Sequence, residues 1–246
     1  MTQSKHSVLE DIHAKVSLSS RVRAAVSSPN FIPPAHVTLR DGRPATIYAF
    51  FRSDDETEIS VCTSAVERRV IPTQHVDKVI RVLGDILNRE IEGGQSYPQD
   101  EPLSFDEFKN YWFAAFVAVL VLDSPTGLPE TFTFDDPEDR VLGTFYIKPN
   151  YPGICGGICN GGFLVSEKAR GQGVGTILGK QYVDWAPKLG YTGSIFNLVF
   201  ETNIASQRIW DGLGFEKVGR VKKVAWVKGH KNPVDAIIYG MTFKSD

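Results

Sequence analysis

Arg170-Gly171-Gln172-Gly173-Val174-Gly175 is a glycine-spaced loop lying between the apolar run Phe163-Leu164-Val165 and a helix-like run from Thr176 to Leu189. Glycine lets the backbone come close to an anion, and the first unpaired N–H groups of the following helix point at it along the positive end of the helix dipole. Strand, glycine loop and helix start together make a phosphate cradle, so a ligand carrying a pyrophosphate is the chemistry to expect. Register removes two look-alikes. A dinucleotide fingerprint begun at Gly171 needs glycine where Thr176 stands, and a P-loop ending in Gly179-Lys180 needs glycine where Val174 stands and Ser or Thr where Gln181 stands. The pattern left is R-x-x-G-x-G, which a plain turn also satisfies.

Other residues could do chemistry around that loop. Gly161-Gly162 inside a strand pattern predicts a bulge or a close backbone approach, where N–H groups leave the ladder. Asn160, just before it, reads by itself as a turn residue, and Asn203 reads by itself as the N-cap of a helix. Cys155 and Cys159 are spaced four apart with no nearby His or third Cys, so no metal site is expected.

These residues need a frame to hold them. His75 to Ile91 carries Val76, Val79, Ile80, Leu83, Ile86, Leu87 and Ile91 at the spacing of one helical face and ends at Gly93-Gly94. A shorter helix is expected over Ser104 to Tyr111, with Ser104 as N-cap and Glu107 as its capping-box partner. A hairpin over Val37 to Phe51 should turn at Asp41-Gly42. Strands are expected over Phe113 to Leu122, Val141 to Lys148, Gly161 to Val165 and Ser194 to Phe200, then around Val218 to Val227 and Val234 to Thr242. A helix is expected over Ala205 to Leu213. Asp123 to Asp139 reads as a long connection, and residues 1–30 stop at Ser27-Ser28-Pro29-Asn30. Strands and helices alternate only in the second half, which predicts an α/β fold with one mixed β-sheet, parallel at its centre and antiparallel at its ends.

Composition narrows the function. The 246 residues carry a formal net charge of −2, which offers no footprint for nucleic acid. Lys222, Lys223, Lys228, His230 and Lys231 read as a solvated hairpin edge. The longest apolar segment, Trp112 to Leu122, falls short of the ~20 residues that span a bilayer, so no membrane is expected. Met1 to Ser7 lacks the apolar core of a signal peptide, and three cysteines without a disulfide framework suit a cytoplasmic location.

Downstream of the glycine loop, Asn203-x-x-Ser206-x-x-Ile209-Trp210-x-x-x-Gly214-Phe215 resembles the second signature of the GNAT superfamily of N-acetyltransferases. Longer strings resemble the fungal proline-analogue N-acetyltransferases, which detoxify azetidine-2-carboxylate: Gly143 to Tyr151, Cys159 to Val165, Trp185 to Pro187, Ser194 to Phe200 and Pro233 to Gly240. This likeness runs roughly from Glu92 to Thr242. It implies a GNAT fold in which two central parallel strands, those ending near Val165 and Phe200, splay apart between flanking helices. It also implies a GNAT domain over 91–246, with 1–90 as an N-terminal extension packed on it or merged with it.

The resemblance implies acetyl-CoA as co-substrate, bound by Phe163, Leu164 and Val165 and by the loop Arg170, Gly171, Gln172, Gly173, Val174, Gly175 and Thr176. The Phe163 N–H would bind the thioester carbonyl. Asn203, also a cofactor contact, would be the principal catalytic residue, reaching the sulfur from which a thiolate must leave. Asn160, with the backbone N–H groups of Asn197 and Leu198, would hold a small cyclic amino acid such as azetidine-2-carboxylate, cis-4-hydroxyproline or pyrroline-5-carboxylate. One amide donates and accepts, which suits a zwitterion. A homodimer is implied as well. Trp210 stands where many members carry a general-acid Tyr, and an indole N–H supplies no proton at neutral pH. Cys159 to Val165 holds no Asp or Glu, which leaves water, the more distant Glu201 or a neutral substrate to account for deprotonation. Two other readings stay open: another small amine, a polyamine or a protein N-terminus as acceptor, and a non-catalytic acetyl-CoA-binding module.

Overall fold

The computed structural model describes residues 32–53, 55–65, 67–124 and 137–244. The expectations for residues 1–30 and for most of the 123–139 connection lie outside the described residues. β1 (Ala35–Thr38) and β2 (Pro44–Arg52) make the expected hairpin, turning through Gly42 at φ 86°. β3 (Ile59–Cys62) and β4 (Arg68–Val70) extend that edge of the sheet. Both are too short for two-residue alternation to stand out among the surrounding polar residues.

α1 (Thr73–Gly93) buries Val76, Val79, Ile80, Leu83, Leu87 and Ile91, and stops at Gly94, whose left-handed conformation lets its N–H bond the Glu90 and Ile91 carbonyls. α2 (Phe105–Trp112) starts in a full capping box: Ser104 accepts from the Glu107 N–H, and Glu107 accepts from the Ser104 N–H. It runs through Trp112, so β5 (Phe116–Leu122) begins three residues later than expected. A short turn of helix, α3 (Pro137–Arg140), leads into β6 (Val141–Pro149).

The strand expected over Gly161 to Val165 is two short ones, β7 (Ile158–Asn160) and β8 (Phe163–Val165), broken at Gly161-Gly162. Then follow α4 (Val174–Lys188), β9 (Gly193–Phe200), α5 (Ile204–Leu213), β10 (Glu216–Ala225) and β11 (Val234–Thr242). Lys222 and Lys223 lie on β10 and Lys228, His230 and Lys231 between β10 and β11, as a hairpin edge would have them.

The strands form one mixed sheet in the order β10-β11-β9-β7-β6-β5-β2-β3-β4, with β1 on β2 and β8 on β6. Its two faces follow from two-residue alternation along the central strands. On β5, Phe116, Ala118 and Leu120 join the core beneath α4 and α5, while Val117, Val119 and Val121 join the core beneath α1 and α2. Each such side chain taken fully out of water contributes about 1.5–3 kcal/mol, so a central strand without polar residues is stable only when covered on both faces. The one parallel pair among the described strands is β7 with β9, through Ile158↔Gly193 and Cys159↔Ser194. Beyond that point β8 pairs with β6 alone and β9 with β11 alone, so the two central strands part.

Candidate active site

The parting of the strands begins at Gly161-Gly162, and packing explains the glycines. A Cβ on Gly161 would stand 2.6 Å from Tyr182 Cε2 and 2.9 Å from the Tyr146 carbonyl, and one on Gly162 would stand 2.5 Å from Tyr146 Cε1. The break re-aims β8. The Tyr146 N–H bonds the Gly162 carbonyl and the Ser166 N–H bonds the Leu142 carbonyl. Antiparallel alternation then spends the Leu164 groups on β6 and turns those of Phe163 and Val165 toward the gap. There the Phe163 carbonyl accepts from the Tyr97 hydroxyl at 2.8 Å. Burial holds the Tyr97 phenol well above its ordinary pKa, so it stays protonated at neutral pH. Behind β8 the Phe163, Phe196, Trp210 and Phe215 rings pack together, with Trp210 centred 4.8 Å from Phe163 and 4.4 Å from Phe196. Trp210 is buried, a wall of the gap.

On the far side of the gap, β9 is bulged. Phe196 faces Tyr239 and Val199 faces Ile237, so Asn197 and Leu198 together oppose the single residue Ile238. Both are exposed. Asn160 ends β7 across the gap, and a third amide joins the two: Asn150, just after β6, accepts from Asn160 Nδ2 at 2.9 Å and from Asn197 Nδ2 at 2.6 Å. The backbone fixes Asn150 in turn, its N–H bonding the Ile158 carbonyl at 2.8 Å. Asn150 lies in the similar string Gly143 to Tyr151, but only strand register shows what it touches.

The glycine loop sits at the start of α4. Gly171 and Gly173 hold φ of 77° and 82°, which L side chains rarely adopt, and Gly173 is the N-cap with no side chain closing the helix end. The N–H groups of the first turn, through Val174, Gly175 and Thr176, are thus left to an incoming anion. Gly175 serves packing instead: a Cβ there would stand 2.8 Å from Ile209 Cδ1 of α5. The Arg170 guanidinium is paired with Glu90 of α1, which also accepts from Ser96 Oγ. A second arginine reaches the loop from the N-terminal hairpin. The Arg40 N–H donates to the Gln172 carbonyl and its guanidinium to the Gly171 carbonyl, each at 3.4 Å. Sequence reading had no means to find it, because 131 positions separate Arg40 from Gly171.

Asn203 caps α5, its Oδ1 accepting the Ser206 N–H at 3.0 Å. That use of the oxygen leaves the Nδ2 donors for a ligand. Glu201 is occupied elsewhere, accepting from the Asp235 N–H at 3.0 Å and from Arg220 at 3.1 Å. The face beneath α1 and α2 adds a lysine: Lys148 Nζ lies between the Tyr111 and Tyr146 rings, 4.4 and 4.5 Å from their centres. Burial draws its pKa down to about 8.

Among the described residues no cluster of His, Cys, Asp and Glu could hold a metal ion, and no helix is long and apolar enough to cross a membrane. A shallow concavity lined by Ile158, Val183, Ser194, Gly240 and Phe243 contains none of the residues expected to act.

Known proteins share this arrangement. Residues 89–215 match the family model described as the acetyltransferase (GNAT) family. The N-acetyltransferase aca1 of Schizosaccharomyces pombe is 42% identical over 172 residues, 69% of this chain and 82% of that protein. Protein SPT10 of Saccharomyces cerevisiae is 30% identical over an alignment taking in 99% of this chain, which spans only 42% of that longer protein. Among solved structures, a GCN5-related N-acetyltransferase from Kribbella flavida superposes with a TM-score of 0.58 at 25% identity, over 68% of this chain and 93% of that one. A phosphinothricin acetyltransferase from Sinorhizobium meliloti in complex with acetyl-CoA shares the fold at a TM-score of 0.53 and 19% identity, over 68% of this chain and 84% of that one. The fold is thus one that solved acetyltransferases share, and the chain belongs to the GNAT family as an N-acetyltransferase whose co-substrate is acetyl-CoA.

Proposed function

We propose that the acceptor is a small cyclic amino acid of the azetidine-2-carboxylate, cis-4-hydroxyproline or pyrroline-5-carboxylate type, acetylated on nitrogen in detoxification or proline- and arginine-linked stress protection. The observation that carries this reading is the amide triad of Asn150, Asn160 and Asn197 at the mouth of the parted strands. Amides offer donors to a carboxylate and acceptors to an ammonium, so Asn160 and the Asn197-Leu198 backbone suit a zwitterion at close quarters. Asn150 orients both side chains.

Acetyl-CoA supplies an activated acetyl group. The residues present fit it: the glycine loop and first turn of α4 would take the pyrophosphate, and the gap-facing groups of Phe163 and Val165 would lie along pantetheine, with Leu164 fastening β8 to β6. The Phe163 N–H would polarise the thioester carbonyl, and Asn203 Nδ2 would donate to the sulfur as negative charge develops there. Arg40 adds positive charge beside the loop. Arg40→Ala is therefore expected to raise KM for acetyl-CoA about 5- to 10-fold and kcat little, with a smaller effect at high salt, as exposed charge contacts behave. Steady-state kinetics at two ionic strengths check this; a KM unchanged at low salt would remove Arg40 from the cofactor site.

The same reading carries three further proposals. The N-terminal extension is merged with the GNAT domain: among the described residues β2 pairs with β5 from Ala45↔Leu122 to Phe51↔Phe116, and α1 runs across residue 90. The protein is a cytoplasmic homodimer, and it has no nucleic-acid partner. The deciding experiment is CoA release by purified protein with each of the three amino acids: turnover with at least one is expected, and none with any would end the substrate claim.

A further inference from the structure

Lys148 is paired in register with Asn160 across β6 and β7, so both side chains leave the sheet on the face that α1 and α2 cover. Tyr111 and Tyr146 meet edge to face with hydroxyls 3.3 Å apart, and their rings hold the Lys148 ammonium between them. Among the described residues no carboxylate forms an ion pair with it, and burial is what lowers its pKa. At neutral pH it is still mostly a cation. A cation kept half-buried on the same face as the neutral Asn160 amide, with no carboxylate paired to it among the described residues, leaves room in the site for one negative charge.

We propose that Lys148 supplies the charge that selects a carboxylate-bearing acceptor, its ammonium pairing with the acceptor's carboxylate while Asn160 and Asn197 set the orientation. This rests on the amino-acid reading above and deepens it. An anionic acceptor completes the charge balance, whereas a polyamine would bring a second cation against Lys148. The two rings fix where the ammonium sits, so an acceptor that lacks the carboxylate, such as the carboxamide of the same ring, forfeits a charge-assisted contact.

The test compares kcat/KM for azetidine-2-carboxylate with that for its carboxamide. The parent protein should prefer the acid by about 30-fold or more, Lys148→Met should lose most of that preference, and Lys148→Arg should retain it. Thermal melts show whether each variant folds. A second measurement needs no variant: inhibition by tetrahydrofuran-2-carboxylate, which has the carboxylate but no amine to titrate. Its Ki should be flat below about pH 7.5 and rise toward tenfold per unit above about 8, as the Lys148 ammonium loses its proton. The titratable groups against Lys148 are the phenols of Tyr111 on α2 and Tyr146 on β6; burial holds Tyr146 well above its ordinary value, and β7 and β9 face the site with Asn160 and Asn197. An acid-to-amide ratio equal in parent and Lys148→Met, or a Ki flat to pH 9.5, overturns the role of Lys148 while leaving the amino-acid reading in place. A parent protein that turns over neither compound removes the acceptor class and Lys148's role with it.

Discussion

Asn203→Asp is expected to lower turnover about 100-fold while leaving the thermal midpoint within ~2 °C of the parent, because it separates the cap from the donor role proposed for the same amide. The Oδ1 of Asn203 caps α5 by accepting the Ser206 N–H at 3.0 Å, and an Asp oxygen at the same place caps equally well. What Asp lacks is the Nδ2 donor. On the proposed role, Asp instead brings a negative charge toward the sulfur, and loss of one donor aimed at developing charge costs on the order of 100- to 1,000-fold in rate. Asn203→Ala should lose turnover to a similar extent and also ~1 kcal/mol of stability with the cap, about 2–4 °C for a chain of this size. Steady-state CoA release and thermal melts on the two variants read the two functions apart. Full activity in Asn203→Asp would show that Asn203 is a cap and nothing more.

Gly161→Ala should cost about 2–3 kcal/mol and lower the midpoint by roughly 5–10 °C, a penalty of overpacking. The added methyl would meet Tyr182 Cε2 at 2.6 Å and the Tyr146 carbonyl at 2.9 Å. Neither can give way cheaply. The Tyr146 carbonyl is backbone, and the Tyr182 hydroxyl is held 2.7 Å from Ser194 Oγ and 3.1 Å from Cys159 Sγ in a fully buried setting. Gly212→Ala is the control. It lies within α5 with nothing within 4 Å of an added Cβ, and the change should stabilise the chain by about 0.5–1 kcal/mol through helix propensity. If Gly161→Ala melts like the parent, the break between β7 and β8 is not set by close packing at that glycine.

Local chemistry was legible wherever a few neighbouring residues decide it. The apolar face of α1, its stop at Gly94, the Ser104 capping box and the turn at Gly42 depend on contacts within a turn or two of chain. β3 and β4 are too short for a period to show, and α2 runs one residue past the expected Tyr111, to Trp112, whose ring stacks on Phe108. In the site, Asn160, Asn197 and Asn203 came from strings resembling other acetyltransferases. Lys148 and Asn150 lie in the similar string Gly143 to Tyr151 without a role attached, while Tyr97, Tyr111 and Arg40 belong to no such string, since each acts across a gap in sequence. Lys148 stands in the sequence only as the end of an expected strand; β6 beside β7 and Tyr111 from α2 give it its surroundings.

The sequence by itself therefore determined the longer elements, the mixed sheet and the glycine loop ahead of α4, all written in periodicity and in the conformational freedom of glycine. Only the tertiary structure decided which amides meet, which lysine lies against two tyrosine rings with no ion pair among the described residues, and which arginine reaches the glycine loop. Register and sheet order bring together residues that no local pattern links, and electrostatics acts on distance in space, not on distance along the chain.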